Sequence, residues 1–452
     1  MTGIFEAYDI RGTYPQEIDG EKARGIGLAF ARYLDKKRVV IGHDMRDSSP
    51  ALNQALSEGL RADGVDVTDI GLATTPMLYT AIIDGKFDGG VMVTASHLPA
   101  QYNGLKLCRE KAIPLSEADG LPEVEALFRK TLTVPAVIDG QPRQLDFLGR
   151  YLEILVPFEE TPEPLRIVAD AGNGMGGLDT PHLFEHYPQY DFIPMYMQPD
   201  GDFPHHVPNP SIPENTAELQ QRVVAEKADL GIAFDGDCDR CGFVDETGAR
   251  VPADLVIAVL AEYFLKKTPG ATVLYDLRAS RAVPERIRQL GGNPVKTRVG
   301  HSFIKEKMRE VNAVFAGELS GHYYYREAGF IDSGILSMIS MLNLLAQKKA
   351  PLSQLVHPLQ KYAQSGEINL HVHDNQRLFQ ELESTYQDGQ QEHLDGLSIE
   401  YPDWWFNLRE SHTEPLVRLV IEADDQPRLQ QEKTRLLKII SKYQDQTGAQ
   451  ES

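Results

Sequence analysis

Three times along the chain, a short run of branched apolar residues opens into a loop of glycine and charged residues and then into a stretch with apolar positions about every third or fourth residue. The switch from strand-like to helix-like spacing in each unit is the grammar of α/β architecture. In the first unit, residues 39–41 lead into Gly42-His43-Asp44-Met45-Arg46, and Leu52, Leu56 and Leu60 then fall on one helical face. In the second, residues 166–169 lead into Asp170-Ala171-Gly172-Asn173-Gly174. The third has residues 273–275 before Asp276-Leu277-Arg278 and residues 314–316 before Gly317-Glu318-Leu319-Ser320. Ligands of open α/β sheets collect beyond the carboxyl ends of the strands, so each unit presents one loop to a shared cleft.

The last ninety or so residues change pattern, with strand-like runs at 366–371 and 416–421, helix-like runs at 375–384 and 428–443, and Asp403-Trp404-Trp405 as a connecting stretch. This reads as a smaller α+β domain. Pro and Gly punctuation divides the chain near 140, 244 and 360, giving segments 1–139, 140–244, 245–360 and 361–452 with a polar tail from 444. A chain of 452 residues is too long for one compact core, which agrees with that division.

Lys and Arg number 45 against 66 Asp and Glu, a net charge of −21 that disfavours nucleic acid and anionic membrane as partners. An anionic substrate therefore needs its own local set of Arg and Lys, which screening over about 8 Å permits. Three cysteines, Cys108, Cys238 and Cys241, give no even disulfide framework, and Asp9, Arg11 and Glu17 stand where a signal-peptide core would be apolar. No run approaches the length of a membrane span, so the expectation is a cytoplasmic protein. Cys238-x-x-Cys241 is better read as a chance spacing than as half a zinc site, since structural zinc takes about four such ligands.

Two loops carry most of the chemistry. Thr94-Ala95-Ser96-His97 follows a buried strand over 90–93 and presents Ser96 as a candidate nucleophile, with His97 beside it and Asn103-Gly104-Leu105-Lys106 returning an ammonium to the same place. A serine at a strand end more often caps or turns the chain, so Ser96 gains weight only from those neighbours. Residues 230–234 form a second strand that opens into Asp235-Gly236-Asp237-Cys238-Asp239-Arg240, and three clustered carboxylates ask for a hard divalent cation. An EF-hand Ca²⁺ loop is the rival, because Asp235, Asp237, Asp239 and Glu246 fall at its positions one, three, five and twelve. Arg240 occupies the sixth position, where that loop needs glycine, and a strand precedes it; a Mg²⁺ site is the better reading.

Glu318 and Ser320, two apart in an extended loop, point the same way and suit vicinal sugar hydroxyls, although a solvated turn explains them as well. Arg409-Glu410-Ser411-His412-Thr413-Glu414-Pro415, with Arg418 nearby, offers a guanidinium, hydroxyls and backbone N–H groups for a phosphate monoester, or else a polar hairpin turn. Gly172-Asn173-Gly174-Met175-Gly176-Gly177 lacks the Lys-Ser/Thr of a P-loop and is read as a tight strand-to-helix turn.

Assembled, these residues resemble those of the α-D-phosphohexomutase superfamily, most closely its bacterial phosphomannomutase/phosphoglucomutase branch. The resemblance runs from Ala7-Tyr8-Asp9-Ile10-Arg11-Gly12 through the Ser96 and Asp235 loops, Val299-Gly300-His301-Ser302-Phe303-Ile304-Lys305 and Gly317-Glu318-Leu319-Ser320-Gly321-His322, to Asn407-Leu408-Arg409 and the residues up to Pro415. It implies three similar mixed-sheet α/β domains plus a smaller C-terminal α+β domain around a central cleft. In order these would be a phosphoserine, a metal-binding, a sugar-recognition and a phosphate-binding domain.

By the same resemblance Ser96 is carried as a phosphoserine, and Ser96, Asp235, Asp237 and Asp239 bind Mg²⁺. Glu318, Ser320 and His322 contact the sugar, while Tyr8, Arg278, Arg409, Ser411, His412, Thr413 and Arg418 meet substrate phosphate. Arg11, His97, Lys106, Arg240 and His301 complete the catalytic set, with Lys106 and His301 as proton-transfer groups. The implied reaction interconverts mannose 1-phosphate and mannose 6-phosphate, or their glucose counterparts, through a hexose 1,6-bisphosphate, in a monomer or weak homodimer. Two residues depart from the family pattern: Leu98 stands where Asn is usual, and His412 where Asn or Gly is usual. A phosphatase with water as acceptor and a calcium-stabilised sugar-binding protein are the rival functions.

Overall fold

The computed structural model describes residues 3–35, 38–130, 141–160, 163–411 and 416–444, which form four β-sheets flanked by helices. Val39, Val40 and Ile41 are fully buried because strand Arg38–His43 lies between Asp66–Leu72 and Gly89–Val93 in a parallel arrangement. Strands covered on both faces read as continuous apolar runs, which is what this segment shows. Helix Ser49–Arg61 then buries Leu52, Leu56 and Leu60 on the face expected from their spacing.

One topology recurs in the first three sheets. In each, a central strand has a parallel neighbour on either side, and one of those neighbours turns back through a hairpin into an antiparallel strand. The hairpins are Gly89–Val93 with Tyr102–Arg109, Leu230–Phe234 with Cys241–Asp245, and Phe315–Gly317 with Tyr323–Tyr325. Their turns hold Ser96, the Asp235–Asp239 cluster and Glu318. The central strands also end alike: Asp44, Asp170 and Asp276 each accept a hydrogen bond from the backbone N–H two residues on, at Arg46, Gly172 and Arg278.

Packing follows the repeat. A single apolar cluster draws residues from all three sheets, among them Val40, Met92, Ile167, Phe234, Val273 and Phe315. The opposite face of each sheet closes a smaller cluster of its own. The fourth sheet has a separate core built from Trp404, Phe406, Leu408, Leu419 and Ile421 against Leu378, Leu429 and Leu436.

Within that last domain, the stretch read as a connector is a strand. Trp404–Glu410 pairs antiparallel with Val417–Ala423, because Trp404, Phe406 and Leu408 alternate with Trp405, Asn407 and Arg409 and need a sheet to separate the two faces. Arg409 consequently stands on a strand opposite Arg418, not in a turn. Helices Asn375–Thr385 and Gln426–Ile440 agree closely with the sequence expectation, the latter capped by Asp425. No helix among the described residues is long and apolar enough to cross a membrane.

Candidate active site

The Ser96 turn is held in an unfavourable backbone conformation by a buried guanidinium. Ser96 has φ of 52°, in the left-handed region that side chains other than glycine seldom occupy. Its N–H donates to Thr94 Oγ1 at 2.9 Å. Arg46, 1% exposed, directs four of its five N–H groups at this turn, Nη1 to the carbonyls of Pro99 and Tyr102 and Nη2 to those of Ser96 and Leu98, while Nε is held by Asp44 at 3.1 Å. Arg46→Met is expected to leave Asp44 buried and unpaired, at a cost of about 3–5 kcal/mol. Thermal unfolding measures this, and an unchanged midpoint would contradict the clamp.

The second hairpin brings its carboxylates to the serine. Ser96 Oγ donates to Asp235 Oδ2 at 2.8 Å and lies 3.2 Å from His97 Nδ1. Residue 236 must be glycine, since a Cβ there would stand 2.2 Å from the Ser96 carbonyl oxygen. The glycine-rich turn after Arg166–Asp170 supports the loop from behind through Met175 N–H to Gly236 O at 2.8 Å, a structural role as the sequence suggested. Thr75, which sequence reasoning missed, donates its hydroxyl to Asp237 Oδ2 at 2.6 Å.

Asp235, Asp237 and Asp239 are buried and bring oxygens within 4.8 Å of one another. Burial first, then repulsion from Asp239 and Asp237, push the Asp235 carboxyl well above its usual range. Lys106 offsets part of this charge, its ammonium 2.5 Å from Asp237 and 2.6 Å from Asp239. Burial alone would lower the Lys106 pKa, but these two carboxylates raise it and keep the group charged. Asp237 Oδ1 remains buried without a hydrogen-bond donor, while Asp239 Oδ1 faces His322 Nε2 at 3.2 Å. Three crowded carboxylates, one forced toward protonation and one with a buried oxygen that lacks a donor, fit a divalent cation. Because the loop joins two antiparallel strands rather than two helices, and Glu246 instead contacts Ser353, the EF-hand alternative fails. Neither Cys238 nor Cys241 belongs to a metal-ligand group among the described residues.

The third hairpin closes the cleft from the other side. Its loop is a tight turn, Gly321 N–H to Glu318 O at 3.0 Å, rather than the extended segment expected. Glu318 Oε2 and Ser320 Oγ nevertheless converge on His322 Nδ1, at 3.2 and 2.8 Å. His322 also lies 3.2 Å from Asp239; burial would lower its pKa, yet Asp239 and Glu318 raise it to about 9. His301 is the reverse case, since burial and the neighbouring Lys305, His322 and Lys106 hold it well below the ordinary value, so its imidazole is neutral. His97 is likewise neutral, through burial and then Arg240 and Arg11. Arg11 pairs with Asp9 at 2.7 Å, and Arg240 Nε stands 3.7 Å from Asp235. Tyr8 donates to the Val299 carbonyl and packs edge-on to His301. Beneath them Lys305, fully buried, pairs with Asp332 at 2.9 Å.

Arg278 is held by Asp276 at 2.8 Å and, with Arg409 and Arg418, surrounds Glu367. Asp276 also accepts from the N–H of Leu319 at 2.7 Å, tying Arg278 to the Glu318 turn. Ser411 follows the strand bearing Arg409 and donates its N–H to Leu416 O at 2.8 Å. His412 and Thr413 lie outside the described residues.

The four domain families of phosphoglucomutase/phosphomannomutase match in order: α/β/α domain I over residues 2–134, domain II over 148–248, domain III over 252–362 and the C-terminal domain over 367–439. The chain belongs to the phosphoglucomutase/phosphomannomutase family. It is 43% identical to a protein of Xanthomonas campestris pv. campestris described as phosphohexose mutases, over 93% of this chain and 94% of that one. It is 38% identical to a phosphomannomutase of Salmonella typhimurium, over 96% and 97% of the two chains. Among solved structures, a phosphoglucomutase/phosphomannomutase family protein from Burkholderia thailandensis superposes with a TM-score of 0.89 at 33% identity, covering 99% of this chain and 98% of its own. The phosphoglucomutase/phosphomannomutase fold thus extends over essentially the whole chain, as the three-plus-one arrangement of sheets requires.

Proposed function

We propose that this chain is a phosphohexomutase that interconverts hexose 1-phosphate and hexose 6-phosphate, with mannose phosphates as its main substrates and glucose phosphates as the alternative. The observation that carries the reading is the 2.8 Å contact between Ser96 Oγ and Asp235, which joins a strand-end hydroxyl to a carboxylate cluster across 139 positions of sequence. The relatives named phosphomannomutase at 37–38% identity favour mannose.

In the proposed reaction Ser96 carries a phosphoryl group. The bond from phosphorus to Ser96 Oγ breaks as one forms to O6 of hexose 1-phosphate, giving hexose 1,6-bisphosphate. After the bisphosphate turns around, the bond from phosphorus to O1 breaks as one re-forms to Ser96 Oγ; the proton removed from O6 has passed to Ser96 Oγ in the first transfer and passes on to O1 in this one, and hexose 6-phosphate leaves. Asp235, Asp237, Asp239 and an oxygen of phospho-Ser96 would hold Mg²⁺, which supplies neutralisation of charge on the transferring group. Lys106, Arg11 and Arg240 add fixed positive charge around the same point.

The hydroxyl proton of the sugar leaves to an imidazole. His301 is neutral, so its imidazole can accept. Lys106, to which the resemblance gives the same task, is better suited to a purely electrostatic role while two carboxylates keep it protonated. Glu318 and Ser320 face the sugar, and Arg278, Arg409 and Arg418 receive the phosphate that is not reacting. Since one chain supplies every group, a monomer suffices, and a cytoplasmic location goes with sugar phosphate substrates.

Arg409→Ala is expected to raise KM about tenfold or more with a smaller change in kcat, because it removes binding common to ground and transition states. Steady-state kinetics check it, and a normal KM would move the phosphate elsewhere. A coupled assay comparing mannose 1-phosphate with glucose 1-phosphate, hexose 1,6-bisphosphate present, tests the function itself. Release of inorganic phosphate without isomerisation would replace the mutase reading by a phosphatase.

A further inference from the structure

Three guanidiniums converge on the carboxylate of Glu367, in the turn between strands Ala363–Gln364 and Ile368–Leu370. Arg278 Nη1 and Arg409 Nη2 each lie 3.1 Å from Oε2, and Arg418 Nη1 lies 3.2 Å from Oε1. Arg278 arrives from the third domain, already matched by its own Asp276. Arg409 and Arg418 face each other directly across paired strands, a register in which like charges repel. An anion between them is therefore needed for this arrangement to persist, and Glu367 supplies it. Burial would raise the Glu367 pKa, but Arg278, Arg409 and Arg418 lower it, so the group is a carboxylate.

A carboxylate offers two oxygens to these three guanidiniums; a phosphate monoester offers three and carries more charge. Both cannot occupy one seat. We infer that the Glu367 carboxylate stands in for the substrate's non-reacting phosphate when none is bound, and that the phosphate displaces it. This rests on the reading of Arg278, Arg409 and Arg418 as the phosphate receptor. The fold leaves a route out: the Glu367 side chain is 25% exposed, and it follows Gly366, which has φ of 67° and nothing within 4 Å of an added Cβ. Rotation of one side chain into solvent frees the receptor without moving the sheet. The receptor thereby selects a dianion, since a weaker anion does not repay the displaced carboxylate.

The test is calorimetric binding of inorganic phosphate and of mannose 1-phosphate to the Ser96→Ala protein, where no transfer occurs, alone and with Glu367→Gln, Glu367→Ala or Arg409→Ala added. Both Glu367 variants are expected to bind about tenfold more tightly, since a self-competitor has been removed. The Gln variant keeps the shape of the side chain and decides the matter if the Ala variant is unstable. Weaker or unchanged binding in Glu367→Gln overturns the inference, and weaker binding would make the carboxylate a support that orders the arginines. Arg409→Ala separates the two layers: unchanged affinity there defeats the receptor reading itself, whereas a loss there without a gain in Glu367→Gln defeats only the stand-in.

Discussion

Ser96→Ala is expected to lower mutase turnover by at least about 10⁴-fold, the scale set by loss of a covalent nucleophile. The change removes one oxygen whose partners are Asp235 and His97 and leaves the Arg46 clamp untouched, because Arg46 binds the Ser96 carbonyl and not its side chain. Alanine tolerates the φ of 52° no better than serine, so folding changes by no more than about 1 kcal/mol. Two readouts are decisive together: the coupled mutase assay, and intact mass after incubation with hexose 1,6-bisphosphate. The parent protein should gain one phosphoryl group and the variant none. Turnover or labelling that survives the substitution would remove Ser96 from the chemistry.

Asp237→Asn acts on the other half of the centre and is expected to reduce activity about 10²–10³-fold, with any residual activity demanding more Mg²⁺. Asp237 Oδ2 already accepts from Lys106 at 2.5 Å and from Thr75 at 2.6 Å, while Oδ1 is buried without a donor. An amide of the same shape keeps the packing but removes the charge that Lys106 is matched to. Activity titrated against Mg²⁺ measures the effect; a variant with the parent's metal dependence would show that Asp237 is no ligand. The contrast with Ser96→Ala is informative, since only Asp237→Asn should respond to added metal.

What could be read from the sequence was what the chain holds close together. Ser96 with His97, the three aspartates with Arg240, and Glu318 with Ser320 are each adjacent in one strand-end loop, so residue type and position suffice to nominate them. The Lys106 ammonium was expected at the serine loop, and it reaches across to Asp237 and Asp239. Arg46 was visible as part of a strand-end motif, but its role depends on carbonyls 50 to 56 positions away, which no pattern of side chains encodes. Thr75 and Glu367 are anonymous for the same reason, being ordinary residues until tertiary contacts 162 and 89 positions distant give them partners. The tryptophan-rich strand was missed because two adjacent aromatics obscured an otherwise plain alternation of Trp404, Phe406 and Leu408.

The first three sheets share one continuous apolar cluster, to which no described residue beyond 362 contributes. The fourth meets them through polar groups: Arg281 reaching the carbonyls of Tyr401, Pro402 and Trp404, Lys296 with Glu392, and Val299 N–H with Asp395. Greasy joints are costly to wet, whereas such polar ones trade partners with water at little net loss. Opening effort is thus concentrated in a single seam. In the proposed reaction the reacting atoms ride on a stiff block, and a detachable latch at its edge loosens to let the bisphosphate swivel and then fastens again.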